Sequence, residues 1–536
     1  MTHPDRAASW TDLTSHDYDL LVIGGGATGA GTALDAAARG LRVALIERDD
    51  VSAGTSSRST KLIHGGVRYL EKAVKEFDRT QFNLVRDALH ERATLIRIAP
   101  HLAKPIPLVT PLYNWLQVPY FMAGLKMYDG LAGRQNLAPS RFIDAREAKR
   151  RFPMLEAEGL RGGVLYYDGQ FDDARMNVAI ALTAREQGAT VLNHVAATGF
   201  EKEDGAIRAV HVRDALDGRE GVVRTKAVVN ATGPFSDAVR RMDDPNVEPM
   251  LSVSSGVHVV LDERFSPPET GLLIPETEDG RVLFLLPWLG HTLVGTTDNP
   301  AEIEAHPKAH EDDVAYVLRH VEKYFDIPVS RDDVQASWSG LRPLVADPSS
   351  DSTARLSRDH VIVTSPAGLV TITGGKWTTY RKMAIEAVDE ALAVAGLDAP
   401  AVKTDELPLV GGAAYTPTGA GALQETYGYD ADVAGHLHAA YGDRADAVAS
   451  LARDRGLEGR LVPDHPILEA EVAWAAEHEF AATSVDVLAR RTRLAFLDTD
   501  AAMAALPRVG DLLQASLGWD DARRDEDRAD AVAYIV

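Results

Sequence analysis

The sequence contains no cysteine among its 536 residues. Disulfide bonds, iron–sulfur clusters and a cysteine-linked cofactor are therefore excluded, and the composition fits a reducing compartment. Long hydrophobic runs are missing as well, because no stretch resembles a membrane-spanning helix. The first 17 residues are polar and lack the apolar centre of a signal peptide, so we expect a cytoplasmic location.

Positive charge is scarce over the chain as a whole, which has a net charge of −23. This balance argues against nucleic acid as a partner. Residues 58–151 are the exception, with 17 Lys and Arg against 8 Asp and Glu. A local basic region in an acidic chain indicates a surface or a ligand that carries negative charge.

A glycine-rich βαβ pattern lies near the start of the chain. Residues 18–23 form an apolar run typical of a buried strand, and Gly24, Gly26 and Gly29 follow with G-x-G-x-x-G spacing. Gly24 would make a tight turn, Gly26 would let the backbone approach a pyrophosphate, and Gly29 would let the helix pack on the strand. Glu47, at the end of the next strand, can accept the ribose hydroxyls of an adenosine. The pattern predicts an ADP-containing cofactor, either NAD or FAD.

The rest of the chain predicts an α/β protein with a helical C-terminal part. Apolar periodicity predicts an amphipathic helix over 74–99, and an Asp-Gly turn predicts an antiparallel hairpin over 206–225. Mainly strands are expected over 251–343 and helices from residue 423 onward. The charged cluster 520–530 is interpreted as a frayed, solvated tail.

Seven motifs make the sequence resemble the FAD-dependent, respiratory-type glycerol-3-phosphate dehydrogenases. They follow the family's order over about residues 18–382 and read IGGGATGAG, TSSRSTKLIHGGVRYLE, NATGPFSD, SGVHVVL, PWLGHTLVGTTD, SGLRPL and GGKWTTYRK. The resemblance implies non-covalent FAD and oxidation of sn-glycerol 3-phosphate to dihydroxyacetone phosphate. A hydride would pass to flavin N5, and the electrons would continue to a membrane quinone.

The resemblance also implies the fold, an FAD-binding Rossmann-type domain interleaved with a β-rich substrate domain, plus an all-α C-terminal cap. Residues 1–400 would form the oxidoreductase region and 401–536 the helical domain. The FAD-binding parts would be about 18–85, 156–240 and 343–395, and the substrate-domain parts about 90–155 and 245–342. A homodimer is possible.

The site residues follow from the same resemblance. The substrate pocket would be lined by Arg68, Tyr69, His258, Arg342, Arg358 and Lys376. The cofactor would be bound by Gly24, Gly26, Gly29, Glu47, Thr55, Ser56, Ser57, Lys61, His64, Gly65, Gly66, Ala231, Gly233, Gly374, Gly375, Lys376 and Thr378.

Three of these residues would be catalytic. His258 would act as general base on the C2 hydroxyl, since hydride loss is easier as the proton leaves. Arg342 would bind the phosphate, and Lys376 would stabilise negative charge on the reduced flavin. No metal site is expected, because His64, His101, His291 and His360 have no ligand spacing with acidic residues.

A quinone acceptor requires a membrane surface, and residues near 72–128 are the predicted docking region. Its basic side chains are Lys75, Arg79, Arg86, Arg92 and Arg97, and its aromatics are Tyr113, Trp115, Tyr120 and Phe121. We expect peripheral association with the inner face of the cell membrane. The alternative is that these side chains pack into the core.

Other functions stay open at this point. Oxygen could reoxidise the flavin in place of a quinone, as in glycerol-3-phosphate oxidases. An amino-acid oxidase of the same fold would need one arginine for a carboxylate, whereas this chain offers several cations. A non-catalytic flavin-binding module is the alternative from a different class.

Overall fold

The computed structural model describes residues 6–66, 79–275, 277–278, 280–345, 360–400 and 403–536. The strands are β1 Asp17–Ile23, β2 Val43–Ile46, β3 Leu62–Ile63, β4 Ala103–Leu112, β5 Arg141–Asp144, β6 Gly162–Phe171, β7 Thr190–Leu192, β8 Val195–Glu203, β9 Ala206–Asp214, β10 Glu220–Asn230, β11 Leu251–Asp262, β12 Gly271–Ile274, β13 Leu283–Trp288, β14 His291–Gly295, β15 Asn299–Pro300, β16 Val334–Val345, β17 His360–Thr364 and β18 Leu369–Gly374. The α-helices are α1 Arg6–Ser15, α2 Ala27–Ala38, α3 Arg79–Ile98, α4 Gln117–Ala132, α5 Ala145–Arg151, α6 Asp173–Glu186, α7 Ser236–Asp243, α8 Glu311–Glu322, α9 Tyr380–Ala395, α10 Gly419–Tyr427, α11 Ala431–Tyr441, α12 Ala445–Arg455, α13 Glu469–His478, α14 Leu494–Leu497, α15 Thr499–Leu517 and α16 Asp521–Ile535.

The first sheet has the strand order β17-β18-β10-β1-β2-β7, in which the strands from β18 to β7 are parallel and β17 pairs antiparallel with β18. Strand β1 is parallel to both of its neighbours, and β10 is parallel to β18. Alternate residues of β1 enter two different cores, Leu20 and Val22 on one face and Leu21 and Ile23 on the other. A parallel sheet covered on both faces explains why this strand is an unbroken apolar run.

Strands β8, β9 and β10 continue this sheet as an antiparallel meander. The predicted hairpin over 206–225 is confirmed, and its turn contains Gly218 with φ +77°. The strand does not stop at residue 225 but runs on to Asn230, so one strand serves both the hairpin and the parallel sheet.

Within the described residues the second sheet has ten strands, and its main path is β15-β11-β14-β13-β12-β4-β6-β3. Strand β16 pairs along nearly the whole of β11. Val257, Val259 and Leu261 point from β11 into a core shared with α8, while His258 and Val260 point to the opposite face. This alternation is what places His258 on the side of the candidate site.

Helix α3 is the described part of the helix predicted over 74–99, and residues 74–78 lie outside the described residues. Val85 and Leu89 pack against Tyr128 of α4, and Leu95 and Ile98 join the core of the first sheet. No helix within the described residues has the length and apolarity needed to cross a membrane.

The part of the chain from 403 onward is helical, with two apolar cores of its own. The predicted tail over 520–530 is helical and not frayed, although most of its side chains are exposed as predicted. Helix α16 contains these residues, and its Asp527 and Ala531 are buried against α15 and the 484 region. The Asp527 carboxylate accepts hydrogen bonds from the backbone and hydroxyl of Ser484, so a residue that looked solvated fixes the helix in place.

Candidate functional site

A cavity of about 430 Å³ lies between the two sheets. On one side it is lined by residues that follow the carboxyl ends of β1, β2, β10 and β18. Parallel strands bring these ends to one edge, which is where open α/β sheets bind ligands. Residues of β11 and β16 in the second sheet close the other side.

The glycine turn after β1 forms one end of the cavity. Gly24 has φ +112°, and a Cβ there would lie 2.6 Å from the carbonyl oxygen of Ala231. A Cβ on Gly29 would lie 1.8 Å from the carbonyl oxygen of Gly24, so Gly29 serves helix packing rather than ligand contact. The backbone N–H of Ala27, at the start of α2, donates to Ser56 Oγ at 2.9 Å. A close-approach turn under a helix N-terminus is suited to a pyrophosphate.

Glu47 lies beside this turn and lines the cavity. Its two carboxylate oxygens accept hydrogen bonds from the backbone N–H groups of Gly25 at 2.6 Å and Asp49 at 2.8 Å. Burial raises the pKa of Glu47, and the two backbone donors oppose that rise. Each oxygen keeps a second lone pair, so the carboxylate can still accept ribose hydroxyls.

The loop after β18 also lines the cavity. Gly374 and Gly375 both have positive φ, at +81° and +71°, a conformation that favours glycine. Trp377 donates its indole N–H to the carbonyl of Ser56 at 2.9 Å, and Thr378 is hydrogen bonded to His64. These bonds tie the loop that carries Lys376 to the segment 55–64 across the site.

His258 lines the cavity from strand β11 of the second sheet. Its ring is buried, stacks on Trp338 with ring centroids 4.2 Å apart, and shares a hydrogen bond of 2.9 Å between Nε2 and Thr60 Oγ1. Burial, followed by the positive charges of Lys61 and Arg342, lowers the pKa of His258 well below its usual value. The imidazole is therefore neutral at neutral pH and able to accept a proton.

Arg342 of β16 lines the same cavity, close enough to His258 for its charge to lower the pKa of that histidine. Its guanidinium donates to the carbonyls of Ser255 and Thr297, and it forms an ion pair with Asp298 at 3.2 Å. Two glycines leave room for these side chains. A Cβ on Gly256 would lie 2.3 Å from Arg342 Nη2, and a Cβ on Gly295 would lie 2.2 Å from His258 Cδ2.

The structure brings most of the predicted site residues to this cavity. Those that line it are Gly24, Gly26, Glu47, Thr55, Ser56, His64, Ala231, Gly233, His258, Arg342, Gly374, Gly375, Lys376 and Thr378. Arg68, Tyr69 and Arg358 lie outside the described residues. The predicted residues that do not line it are Gly29, Ser57, Lys61, Gly65 and Gly66.

Lys61 differs most from its predicted cofactor contact. It is fully buried, and its Nζ forms an ion pair with Asp173 at 2.7 Å and donates to the carbonyl of Ser57 at 2.9 Å. Burial lowers the pKa of Lys61 to about 7, although Asp173 opposes the change. Gly65 likewise has a packing role, because a Cβ there would lie 2.8 Å from the Leu89 side chain.

Three arginines of the C-terminal domain, which the sequence motifs did not indicate, support the site. Arg490 and Arg491 bind the buried carboxylate of Asp50 at 2.6 and 2.7 Å, three residues beyond Glu47. Arg493 donates to the carbonyl of Ser57 at 2.7 Å. Arg490 and Arg491 end a π-helical segment, Asp486–Arg491, and Arg493 follows it. The available signal was a run of three arginines inside an otherwise apolar stretch.

The residues at this site fit FAD. The glycine turn and Glu47 suit the ADP half, and Lys376, His258 and Arg342 line the same cavity. Binding of the ADP half at the glycine turn would therefore leave these three side chains for the flavin ring and a substrate.

Comparisons with known proteins agree with this geometry. A model described as FAD dependent oxidoreductase matches residues 19–381, and one described as the C-terminal domain of alpha-glycerophosphate oxidase matches 402–524. The mitochondrial glycerol-3-phosphate dehydrogenase of Mus musculus is 48% identical, with 99% of this chain and 75% of that protein covered. The mitochondrial glycerol-3-phosphate dehydrogenase SDP6 of Arabidopsis thaliana is also 48% identical, over 99% of this chain and 89% of that protein.

Among solved structures, the glycerol-3-phosphate dehydrogenase from Bacillus halodurans complexed with FAD has a TM-score of 0.80 and 29% identity. The similarity covers 99% of this chain and 97% of that one. Both the α/β region and the helical C-terminal domain are therefore shared. The chain belongs to the FAD-dependent glycerol-3-phosphate dehydrogenase family.

Proposed function

We propose that the protein oxidises sn-glycerol 3-phosphate to dihydroxyacetone phosphate and passes the electrons to a membrane quinone. The observation that carries this proposal is one cavity that joins an ADP-binding turn to a neutral histidine and an arginine. Full-length relatives named glycerol-3-phosphate dehydrogenase support the choice of substrate. FAD, when bound, supplies the hydride acceptor.

His258 has the role of general base in this proposal. Its neutral ring can take the proton of the C2 hydroxyl, and the hydrogen bond to Thr60 holds the ring in one orientation. Stacking on Trp338 fixes its plane. A base held by two neighbours loses little rotational freedom when the substrate binds.

Arg342 and Lys376 supply positive charge. A substrate phosphate has a charge near −2 and prefers arginine forks, so we assign Arg342 to the phosphate end. Its ion pair with Asp298 orients the guanidinium, and Gly256 leaves room for it. Lys376 precedes a helix beside the glycine pair and would stabilise negative charge on the reduced cofactor. Arg68, Tyr69 and Arg358 remain predicted substrate contacts.

An anaerobic titration tests the reaction. The purified, FAD-loaded protein should lose its yellow colour with sn-glycerol 3-phosphate, and it should keep the colour with lactate, D-amino acids or NADH. A Glu322→Gln variant, altered at the end of α8 away from the cavity lining, is a control that should bleach normally. Failure of the wild-type protein to bleach with sn-glycerol 3-phosphate would refute the proposal.

Oxygen is the alternative acceptor, and the match of residues 402–524 to a domain of alpha-glycerophosphate oxidase favours it. Mixing the substrate-reduced protein with oxygen or with a soluble quinone analogue separates the two functions. We expect the quinone to restore the yellow colour much faster than oxygen does. The opposite order would identify an oxidase.

The membrane contact is proposed at the start of α4. Trp115, Leu116 and Tyr120 are 58%, 80% and 50% exposed, an unusual grouping of large apolar side chains. Interfacial aromatics favour the headgroup level of a bilayer, where a quinone is accessible. Lys126 on the same helix is exposed and adds attraction to anionic lipid. We propose that this apolar rim, residues 115–123, associates peripherally with the inner face of the cell membrane.

The structure changes the predicted docking region in two respects. Arg92 cannot face lipid, because it is buried and forms an ion pair with Asp168 at 2.7 Å. Phe121 is partly buried against an apolar cluster, and Tyr113 packs on the core of the second sheet. Lys75 lies outside the described residues. The apolar side of α3 packs on the protein core, and Trp115 and Tyr120 remain for lipid.

Sedimentation with anionic liposomes tests the rim. Trp115→Ser/Tyr120→Ser should reduce binding at low salt while FAD content stays unchanged. Ile303→Ser/Val363→Ser removes two other exposed apolar side chains and should bind as the wild type does. Equal binding by all three proteins would rule out the rim as the docking surface.

A further inference from the structure

The structure brings together two histidines and an aspartate that the sequence keeps far apart. His291, His465 and Asp498 each offer one ligand atom, and these atoms all lie within 4.8 Å of one another. Among the described residues this is the one group of three such side chains. We propose that it binds a first-row divalent transition-metal ion, with zinc as the best match.

The ligand set decides the class of metal. Two imidazoles and a carboxylate suit zinc and its neighbours, whereas magnesium and calcium require oxygen ligands. A tetrahedral zinc ion with ligands at ~2.0–2.1 Å keeps neighbouring ligand atoms roughly 3.4 Å apart. His465 Nε2 and Asp498 Oδ2 are already 3.6 Å apart, and the ligand atom of His291 lies within 4.8 Å of both, so side-chain rotations that shorten these two separations would close the site.

The tautomer of His291 supports metal binding independently. Its Nδ1 is 2.9 Å from the carbonyl oxygen of Leu289, and a carbonyl only accepts, so Nδ1 carries the proton. Nε2 then keeps its lone pair. A ligating histidine characteristically donates its other N–H to a backbone carbonyl in this way. The contact forms within the tight turn between β13 and β14, where Leu289 and Gly290 both have positive φ.

Asp498 divides its two oxygens between two functions. Oδ1 accepts the backbone N–H of Ala501 and caps helix α15, while Oδ2 faces His465. The two histidines are buried and their rings stack nearly parallel, 5.6 Å between centroids. Asp498 is partly exposed, which leaves one side through which an ion can enter and water can complete its coordination.

The position indicates a structural role. His291 belongs to the second sheet, and His465 and Asp498 belong to the C-terminal domain. None of the three lines the cavity described above, so the ion has no part in the chemistry there. A metal bound by both regions would hold the C-terminal domain against the second sheet, and ion binding to the folded state alone raises the unfolding temperature.

Zinc titration tests the proposal. The FAD-loaded protein is first treated with a chelator to remove bound metal, and Zn²⁺ is then titrated in the presence of a competing fluorescent indicator. We expect one tight equivalent of Zn²⁺ per chain and a higher unfolding temperature with Zn²⁺ than without. His465→Asn should weaken binding by at least ~10–100-fold, the range seen when outer partners of a ligand are lost. His438→Asn, a buried histidine of the same domain outside the group, should bind as the wild type does.

Asp498→Asn keeps the test independent of folding. Asparagine is as good a helix N-cap as aspartate, so this variant should fold, which its FAD content and circular dichroism would show. It should nevertheless lose tight Zn²⁺ binding and the rise in unfolding temperature. No tight equivalent in the wild type, or an equal equivalent in both His465→Asn and Asp498→Asn, would overturn the site.

Discussion

Replacing Asp50 by asparagine should destabilise the protein and weaken its hold on FAD. Asp50 is fully buried, and its carboxylate binds Arg490 at 2.6 Å, Arg491 at 2.7 and 3.0 Å, and Asn193 at 2.9 Å. The asparagine side chain has the same shape but no charge. The buried guanidinium of Arg491 would then lose the carboxylate that compensates it, while Arg490 would keep its second ion pair, with Asp486 at 2.6 Å.

The size of the effect follows from that loss. Removing one partner of a buried ion pair costs about 3–5 kcal/mol, because the remaining charge stays desolvated. An exposed pair gives a matched control: Arg455 and Glu477 are bonded at the surface, and Glu477→Gln should cost no more than ~1 kcal/mol. Because Asp50 lies three residues beyond Glu47, we expect the same change to weaken FAD binding.

Urea denaturation and FAD titration measure the two effects. A double-mutant cycle with Arg491→Met separates the energy of the ion pair from other losses of stability. Residues in direct contact typically show an interaction energy of about 0.5–3 kcal/mol in such a cycle. Additive effects of Asp50→Asn and Arg491→Met, or a loss for Asp50→Asn as small as that of Glu477→Gln, would refute the reasoning.

Three further predictions concern the cavity. Arg342→Ala should lower kcat/KM for sn-glycerol 3-phosphate by about 10–150-fold, which is equivalent to ~1.5–3 kcal/mol. The loss for unphosphorylated glycerol should be much smaller, and equal losses for the two substrates would mean that Arg342 has a structural role. Glu47→Ala should leave the chain folded but raise the dissociation constant for FAD, as flavin fluorescence would show; unchanged retention would remove Glu47 from the adenosine site. The pKa of His258 is held well below 6.5, so the rate of flavin reduction measured by stopped flow should not change as pH falls through 6.5. A decline in the rate centred near pH 6.5 would contradict a buried neutral base. His258→Ala should lower the rate at every pH.

Sequence patterns correctly predicted those helices, strands and turns whose formation depends mainly on residues close together in the sequence. The strand, glycine turn and helix at 18–38 and the hairpin ending in β10 depend on neighbours in sequence, and both form as predicted. The C-terminal end of α3 was also predictable from neighbouring residues, because Pro100 cannot continue the helix. Motif-level resemblance then placed His258 and Arg342, which lie 84 positions apart, at one cavity.

The failures share a physical cause. Lys61, Arg92 and Asp527 are charged, and charge alone predicts solvent or ligand contact. Each is buried because an opposite charge or a donor meets it from a distant part of the chain, Asp173, Asp168 and Ser484 respectively. Composition records the charge but not the partner, so the burial of these groups could not be read from the sequence. The proximity of His291, His465 and Asp498 likewise depends on residues that are far apart in the sequence, so sequence spacing could not predict it.

The binding of Asp50 by Arg490 and Arg491 has a consequence for the biosynthesis of the protein. The two sides of this contact are about 440 residues apart, so the ribosome makes the loop beyond Glu47 long before it makes the arginines. Until residues 490 and 491 have been made, the Asp50 carboxylate of a growing chain lacks the two arginines that bind it. Because Asp50 is expected to support FAD binding, firm cofactor retention should depend on the synthesis of this segment. The distant arginines would thus link cofactor retention to the synthesis of the C-terminal domain.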